Sequence, residues 1–272
     1  LNAGLHYDKI PYNNTSKLSP RLGISYNLNP ITLINLAFGQ YYQTPFYWML
    51  LNPKNIENSG SPLGNSHTDQ MIIGIERYLA QDTKVTLEYY EKKYYNTPVY
   101  RAALTDSLFD RNLGFDDIGE GFSNGLELFI QKKYSNNWYL TFSYSNSISK
   151  AKDPRNDKTG YYSRTYDYGQ VLTCIGGYKV RFREYDWYKK YKNYKLFRLL
   201  SIIPFMPSDI LEISFRFKYL GGRPYTLRYY APTYRRWAYD DNWNTERYGY
   251  YNRLDIMILR RFNFKRINIT TY

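Results

Sequence analysis

The sequence predicts an all-β fold: an antiparallel transmembrane β-barrel to which this chain contributes about eleven strands. Three observations lead to this prediction. Apolar and polar residues alternate with period 2 over stretches of about 8–12 residues. Short turns and long loops alternate along the chain. Tyrosine supplies much of the apolar content, with 34 of 272 residues, and the mean hydropathy is only −0.64. A barrel accounts for this low value, because only every second strand residue contacts lipid while lumen and loops are polar.

The alternation defines the strands in order. In the first strand Leu5 and Tyr7 lie on one face, and His6 and Asp8 lie on the other. The same pattern recurs along the chain, and helical spacing is hard to find outside one segment. The predicted strands are Leu1–Asp8, Pro20–Leu28, Ile34–Phe38, Met71–Ile75, Val85–Tyr89, Leu126–Ile130, Trp138–Tyr144, Tyr168–Val180, Ile210–Leu220, Asn252–Phe262 and one beginning at Ile267.

The breaks between strands support a membrane barrel over a soluble sandwich, because transmembrane barrels have short turns at one end and long loops at the other. Aromatic residues near strand ends are typical of an interfacial girdle. The alternative is that they fill strand edges in a soluble all-β fold. The predicted tight turns are Asn29–Pro30, Ala80–Asp82, Ser135–Asn137 and Asn263–Arg266. The predicted long loops are Tyr42–His67, Asn96–Glu120, Ser147–Thr165 and Gly221–Gly249.

An odd set of strands does not close a single-chain barrel, and lipid leaves unpaired edge groups unsatisfied. We therefore expect residues 1–272 to be part of one outer-membrane barrel domain. The remaining strands are expected on the rest of the polypeptide or on a partner.

Several segments carry a family resemblance. They are Ser19–Tyr26 (SPRLGISY) with Leu36–Pro45 (LAFGQYYQTP), Gly119–Glu127 (GEGFSNGLE), and Gly222–Thr226 (GRPYT) with Tyr251–Ile256 (YNRLDI). In this order they resemble the barrel half of TonB-dependent outer-membrane receptors. The motif sequences are most similar to those of receptors of Bacteroidota type that carry a carboxypeptidase-like regulatory domain. The sequence departs from the family at His6, where Arg is usual, and at Asn65–Asp69.

The resemblance implies a larger barrel of 22 strands in the outer membrane of a Gram-negative bacterium, surrounded by outer-membrane lipid. It implies energised nutrient uptake through a TonB-type energy-transducing complex, which the N-terminal part would contact. The plug domain and the N-terminal strands are expected outside these residues. A surface lipoprotein or a larger envelope complex is a further partner to consider. The alternative function is a structural or assembly barrel of an envelope complex without transport activity. The transported ligand cannot be read from the sequence.

Several other functions are disfavoured. One cysteine, Cys174, and two histidines leave little material for a metal site, and we expect neither a metal nor a cofactor. The formal charge of +13 is scattered over turns and loops, so no nucleic-acid partner is expected. Gly121–Gly125 matches the G-x-S-x-G pattern, but an alternating strand follows it where a nucleophile elbow needs a helix. We therefore expect no enzymatic activity.

Charged residues on the polar faces of the strands form the first candidate set, expected to face the barrel lumen. They could hydrogen-bond a plug or attract cations. The favoured alternative is that the carboxylates pair with lumenal basic residues, such as Arg21 or Lys92, and solvate the interior. The set is Glu76, Glu88, Glu127, Arg253 and Asp255.

Aromatic and arginine residues in two loops form the candidate ligand-binding set. Aromatic rings stack on planar ligand groups, and arginine binds carboxylate or phosphate in a bidentate manner. Self-packed loop clusters or an aromatic belt above the membrane are the alternatives. The set is Tyr41, Tyr42, Phe46, Tyr47, Trp48, Arg228, Tyr229, Tyr230, Arg235, Arg236, Trp237, Tyr239 and Trp243.

The segment Arg181–Asp209 breaks the rule of short turns at its end. Its basic run precedes a cluster of leucines and isoleucines, which is typical of an amphipathic helix on anionic headgroups or against a partner. Alternatively, Leu196–Pro204 is a strand, which would move the aromatic loop at Arg228–Trp243 to the short-turn side. We expect the insertion.

Overall fold

The computed structural model describes residues 1–11, 14–52, 54–55, 63–100, 114–155, 160–200, 203, 207–240, 242–263 and 268–272. Its strands are β1 (Asn2–Ile10), β2 (Thr15–Asn29), β3 (Thr32–Gln43), β4 (Ser66–Ala80), β5 (Thr83–Tyr100), β6 (Phe115–Ser135), β7 (Trp138–Lys152), β8 (Tyr162–Ser163), β9 (Gln170–Val180), β10 (Ile210–Leu220), β11 (Pro224–Tyr225), β12 (Arg228–Ala231), β13 (Arg236–Tyr239), β14 (Glu246–Arg247), β15 (Tyr251–Asn263) and β16 (Asn268–Thr271). Short α-helices are α1 (Tyr47–Leu50), α2 (Asp186–Tyr191) and α3 (Lys195–Leu200), and 3-10 turns are Phe182–Glu184 and Pro232–Tyr234.

Eleven strands form one antiparallel sheet in chain order, β1-β2-β3-β4-β5-β6-β7-β9-β10-β15-β16, and the short β8 also pairs with β7. The predicted fold class is therefore confirmed. Two hairpin-like pairs, β11–β14 and β12–β13, stand apart from this sheet in the loop between β10 and β15. Within the described residues β1 and β16 are the two edges, and the sheet is not closed. No helix among the described residues is long and apolar enough to cross a membrane.

The register gathers the apolar residues on one face of the sheet, which we call the outward face. Ile73 and Leu126 on this face are 45% and 49% exposed. Lipid contact requires an apolar face of this kind, which no second layer of the described residues covers. One row of directly opposed outward residues crosses eight strands: Tyr26, Ile34, Ile75, Leu87, Leu128, Tyr144, Leu172 and Tyr219.

The opposite face of the sheet, the polar face, carries small and hydrophilic residues. A row of directly opposed positions runs along Asn35, Gly74, Glu88, Glu127 and Ser145. Gly74 leaves room that the Glu88 side chain occupies, since a Cβ added there would lie 2.9 Å from the Glu88 Cγ atom. This face has the composition of a hydrated barrel lumen.

The connections sort into a short-turn end and a long-loop end. Asn136 and Asn137, between β6 and β7, have φ of 50° and 70°, as two-residue hairpin turns require. Lys132 fixes the same end, because its Nζ donates to Asp82 Oδ2 at 3.0 Å and to the Ser135 carbonyl oxygen at 2.9 Å. Hydrogen bonds from Thr83 and from Lys132 lower the pKa of Asp82 to about 2.

The connection from β9 to β10 confirms the predicted insertion at the short-turn end. Residues Lys195–Leu200 form α3, and β10 pairs directly with β9 and β15. The alternative of an extra strand at Leu196–Pro204 is therefore wrong, although residues 201–202 and 204–206 lie outside the described residues. Because no strand is added, the loop with Arg228–Trp243 stays at the long-loop end.

Candidate functional site

Two adjoining cavities lie at the long-loop end, on the polar face of the sheet. The first, about 450 Å³, is bounded by the β3–β4 loop, the ends of β4, β5 and β7, and the loop after β7. The second, about 550 Å³, is bounded by that same loop and by the β10–β15 loop. Both are lined by Thr165 and Asn244, so we treat them together as one trough.

The charge of the trough is one-sided. Of the described residues that line it, four are basic and none is acidic. The four are Lys152, Arg164, Arg223 and Arg228. Basic side chains gathered in a concave surface raise the local concentration of anions, so the trough favours a negatively charged ligand.

Aromatic rings hold several of these cations in place. The Arg164 guanidinium lies 4.6 Å from the centroid of the Tyr94 ring. Arg228 lies 4.3 Å from the Tyr239 ring and also donates a hydrogen bond to the hydroxyl of that tyrosine. Trp243 stacks nearly parallel to Tyr239, with ring centroids 6.5 Å apart. Such stacking orients the guanidinium groups and leaves them able to donate to an anion.

A partly buried ion-pair cluster holds the loop after β7 against β5 and β6. Arg155 pairs with Asp116 and, at 2.7 Å, with Asp153, and it donates to the Tyr100 carbonyl oxygen at 3.2 Å. Burial acts to raise the pKa of Asp153, but the hydrogen bonds and charge of Arg155 outweigh it and lower that pKa. Separating these charges would cost free energy, so the ion pairs hold this wall of the trough in place.

A second ion pair joins the two loops that share the trough. The Asp167 side chain is 3% exposed and accepts a hydrogen bond from Arg247 Nη2 at 2.8 Å. It also accepts from the Ser149 backbone N–H at 3.2 Å. Arg247 Nη1 in turn donates to the Gly222 carbonyl oxygen at 2.9 Å. The loop after β7 and the β10–β15 loop are thus cross-linked.

The β3–β4 loop carries a small core of its own. Leu50, Leu63 and Phe115 are buried together. Asn55 is fully buried, donates to the Met49 carbonyl oxygen at 2.5 Å and accepts from the Phe115 backbone N–H at 2.7 Å. This packing places α1 beside the start of β6, and Phe46, just before α1, lines the trough.

The structure separates the first predicted loop set. Phe46 lines the trough. Tyr41 lies on the polar face beneath Arg21, at 4.7 Å. Tyr42 lies on the outward face, where it stacks on His67 with centroids 4.8 Å apart. Trp48 packs edge-on against Phe115, and Tyr47 is exposed. Of this set, the trough thus includes Phe46, while Tyr42 has the outward position of an interfacial girdle residue.

The second predicted set is also divided. Arg228 and Tyr239 line the trough, as does Trp243. The exposed rings of Tyr229, Tyr230 and Trp237 belong to the β12–β13 hairpin and line neither cavity, and Tyr230 packs against Trp237 at 5.9 Å. Arg235 occupies the left-handed turn of that hairpin, with φ of 50°. The side chain of Arg236 lies outside the described part of the structure.

The five residues expected to face the lumen all lie on the polar face. Glu76 pairs with Lys84 at 3.0 Å, Glu127 accepts from Ser145 at 3.3 Å, and Arg253 pairs with Asp255 at 2.8 Å. The partners suggested from the sequence have other contacts: Arg21 lies over Tyr41, and Lys92 lies 5.2 Å from the Tyr90 ring. Glu76 thus pairs with a lysine of the polar face, as expected, but that lysine is Lys84, and neither Arg21 nor Lys92 is its partner.

Sequence reasoning missed the central wall of the trough. Tyr94 and Arg164 are 70 positions apart, and Tyr162, Thr165, Arg223 and Asn244 carry no spacing signal that marks them. Ser123 of the G-x-S-x-G match lies within β6, where its hydroxyl hydrogen-bonds to Ser149 at 2.6 Å and to the Tyr94 hydroxyl at 3.3 Å. In the described ranges, no group of three or more His, Cys, Asp or Glu could hold a metal ion.

Comparison with known proteins identifies the architecture. Residues 1–272 match the family model described as "TonB dependent receptor-like, beta-barrel". No curated protein is significantly similar to this chain. The fold resembles the ferripyoverdine receptor of Pseudomonas aeruginosa bound to ferripyoverdine (TM-score 0.61, 16% identity, covering 90% of this chain and 27% of that one). It also resembles the siderophore receptor PirA of Acinetobacter baumannii (0.61, 14%, 96% and 37%) and the ferric yersiniabactin uptake receptor FyuA of Yersinia pestis (0.59, 12%, 94% and 32%). The chain thus spans about a third of the length of these structures.

Proposed function

Because this chain belongs to the family of TonB-dependent receptor-like β-barrels of the Gram-negative outer membrane, we propose that the complete protein imports a nutrient by energised transport. The partners of that process are a TonB-type energy-transducing complex, a plug domain of the same protein and the remaining strands of a closed barrel. We place all three outside residues 1–272. The narrower assignment to a Bacteroidota-type receptor remains a prediction from the sequence motifs.

The strand directions support an extracellular position for the trough. In transmembrane barrels the short turns are periplasmic and the long loops are extracellular. The trough lies at the long-loop end, on the face that a closed barrel turns to its lumen. We therefore propose that it is part of the ligand's entry site.

The lining of the trough carries the proposal on ligand chemistry. Four basic residues without an acidic neighbour in the described lining favour an anion, and the exposed Trp243 ring favours a planar group. A compact anionic molecule with planar groups satisfies both requirements. Ferric siderophores are the first class to test, since the similar solved structures include a ferripyoverdine receptor bound to ferripyoverdine and a ferric yersiniabactin uptake receptor.

Replacing Trp243 by Ala should weaken ligand binding by about 1–2 kcal/mol, because aromatic anchors in a binding surface dominate affinity. Trp237→Ala is the matched control, since it removes the same ring from the same loop outside both cavities. Affinity is measured on the complete protein with a panel of ferric siderophores. If Trp237→Ala lost as much affinity as Trp243→Ala, the trough would not be the binding site and the β12–β13 hairpin would be the place to test next.

A deletion strain tests transport itself. We expect loss of growth on at least one siderophore-bound iron source, and the same loss when the energy-transducing complex is removed. Restoration by the wild-type gene is the control. Unimpaired uptake across a broad nutrient panel, together with loss of an envelope assembly, would contradict import and establish a structural barrel.

A further inference from the structure

The connection between β9 and β10 differs from the other connections at the short-turn end, and the proposed transport does not explain it. We call residues 181–209, between β9 and β10, the insertion; the described part comprises residues 181–200, 203 and 207–209. The connections β2–β3, β4–β5 and β6–β7 at the same end each span only two residues between the strands. The insertion instead contains α2 and α3. We therefore infer its function from the surface that these two helices expose.

The base of the insertion is attached to the outward rim of the sheet. Tyr188 in α2 is 2% exposed and interacts with Arg260. Arg260 lies opposite Leu211, and alternation along the two strands places it on the same face as Ile256 and Phe215. The helices therefore leave the sheet on the side of the barrel that contacts lipid, away from the lumen.

Asp209 holds this attachment together. Its carboxylate accepts from Lys192 Nζ at 2.5 Å and from the Asn263 backbone N–H at 2.6 Å. It also accepts from the Tyr188 hydroxyl, and burial together with this carboxylate raises the pKa of that tyrosine. The orientation of α2 relative to the outward rim is thus fixed by buried polar contacts.

The exposed surface of the insertion is both apolar and basic. Leu196, Leu199 and Leu200 follow the i, i+3, i+4 spacing of one face of α3. Together with Ile203, which lies beyond the end of α3, they are 40–67% exposed. Residues 181–200 contain seven Lys or Arg and two acidic residues, an excess of five positive charges. Aromatic side chains, including the exposed Trp187 and Tyr194, lie between the cations. Basic, aromatic and leucine-rich short segments of this kind are suited to a membrane interface.

We propose that the insertion docks on the periplasmic lipid surface of the outer membrane, with the α3 leucines at the boundary between headgroups and acyl chains and the lysines on anionic headgroups. Two observations select lipid over a protein partner: the surface continues the outward face of the barrel, and its charge is complementary to anionic phospholipid. The proposal rests on the barrel and its orientation, and it is independent of what the trough binds.

The test places a spin label on α3 in the complete protein. Leu199→Cys is labelled in a Cys174→Ser background, and the protein is reconstituted into vesicles of phosphatidylethanolamine, alone or mixed with phosphatidylglycerol. Collision rates with oxygen and with a water-soluble nickel complex report the depth of the label. In vesicles with phosphatidylglycerol we expect oxygen to be the more effective relaxant.

Charge removal provides the matched comparison. The variant K189Q/K190Q/K195Q should weaken docking by about fivefold per cation, and access of the nickel complex should rise. The variant K92Q/K93Q/K150Q removes the same charge from the halves of β5 and β7 that are nearer the long loops, and it should change nothing. Lys192 is left intact because it pairs with Asp209. A Leu199 label equally open to the nickel complex in both vesicles, or shielded from both reagents by protein, would overturn the proposal.

Discussion

Replacing Ile73 by Arg should lower the free energy of unfolding by about 2–4 kcal/mol, because the guanidinium would face lipid near the middle of β4. Ile73 lies opposite Leu36 and Tyr89 in the outward rows of β3 and β5. The measurements are the denaturant midpoint of the complete protein in lipid vesicles and its amount in the outer membrane.

The neighbouring isoleucine supplies the control. Ile72 has the same side chain at nearly the same depth, but it lies opposite Ala37 and Tyr90 on the polar face. Ile72→Arg should cost much less than Ile73→Arg, since a lumenal guanidinium can reach water or polar neighbours. If the two variants were equally destabilised, the assignment of the outward face would be wrong.

Replacing Arg155 by Met should lower the free energy of local opening of the trough wall by about 3 kcal/mol, because it leaves the buried Asp153 and the partly buried Asp116 without their cation. Hydrogen exchange of residues 114–117 and 149–155 measures this opening. The barrel strands should keep their protection. The variant R155M/D116N/D153N removes the uncompensated charges as well and should recover much of the loss. Failure to recover would mean that Arg155 acts through packing alone.

The same cluster makes a pH-dependent contribution. The pKa of Asp153 is lowered in the folded protein, so its stabilisation is present above the unfolded value of about 3.9 and is lost as the pH falls through the folded value. Protection of the trough wall, corrected for intrinsic exchange, should be constant from about pH 5 to 8 and should fall below about pH 4. In the D116N/D153N variant this acid dependence should be reduced.

The strands could be predicted because lipid imposes a strict requirement on them. Outward positions in the membrane-spanning part of a strand are mostly apolar, as Ile213, Phe215 and Phe217 are at every second residue of β10, and the predicted bounds Ile210–Leu220 agree with the structure. The tight turn between β6 and β7 could also be predicted, since asparagine tolerates the positive φ that Asn136 and Asn137 adopt there.

The trough could not be predicted in the same way, because no period links the residues that form it. The loop aromatics predicted as one set are divided by the alternation of β3 itself: Tyr41 and Tyr42 are adjacent in sequence but lie on opposite faces of the sheet. Arg164, in the loop after β8, meets Tyr94 of β5 because β6 and β7 lie side by side between β5 and β8. Loop residues do not contact lipid and need not alternate between apolar and polar. The sequence of the loops therefore does not indicate which side chains come into contact.

The sequence by itself thus determined the all-β class, the membrane-facing residues and the family, since all three follow from local alternation and short motifs. Only the tertiary structure decided that Arg181–Asp209 is an insertion and that Arg228–Trp243 lies at the long-loop end. It also decided which cations gather in the trough. The physical reason is that lipid contact imposes the alternation of apolar and polar residues at each strand position. The end of the barrel at which a loop lies, and the residues it contacts, depend instead on the number and pairing of all preceding strands.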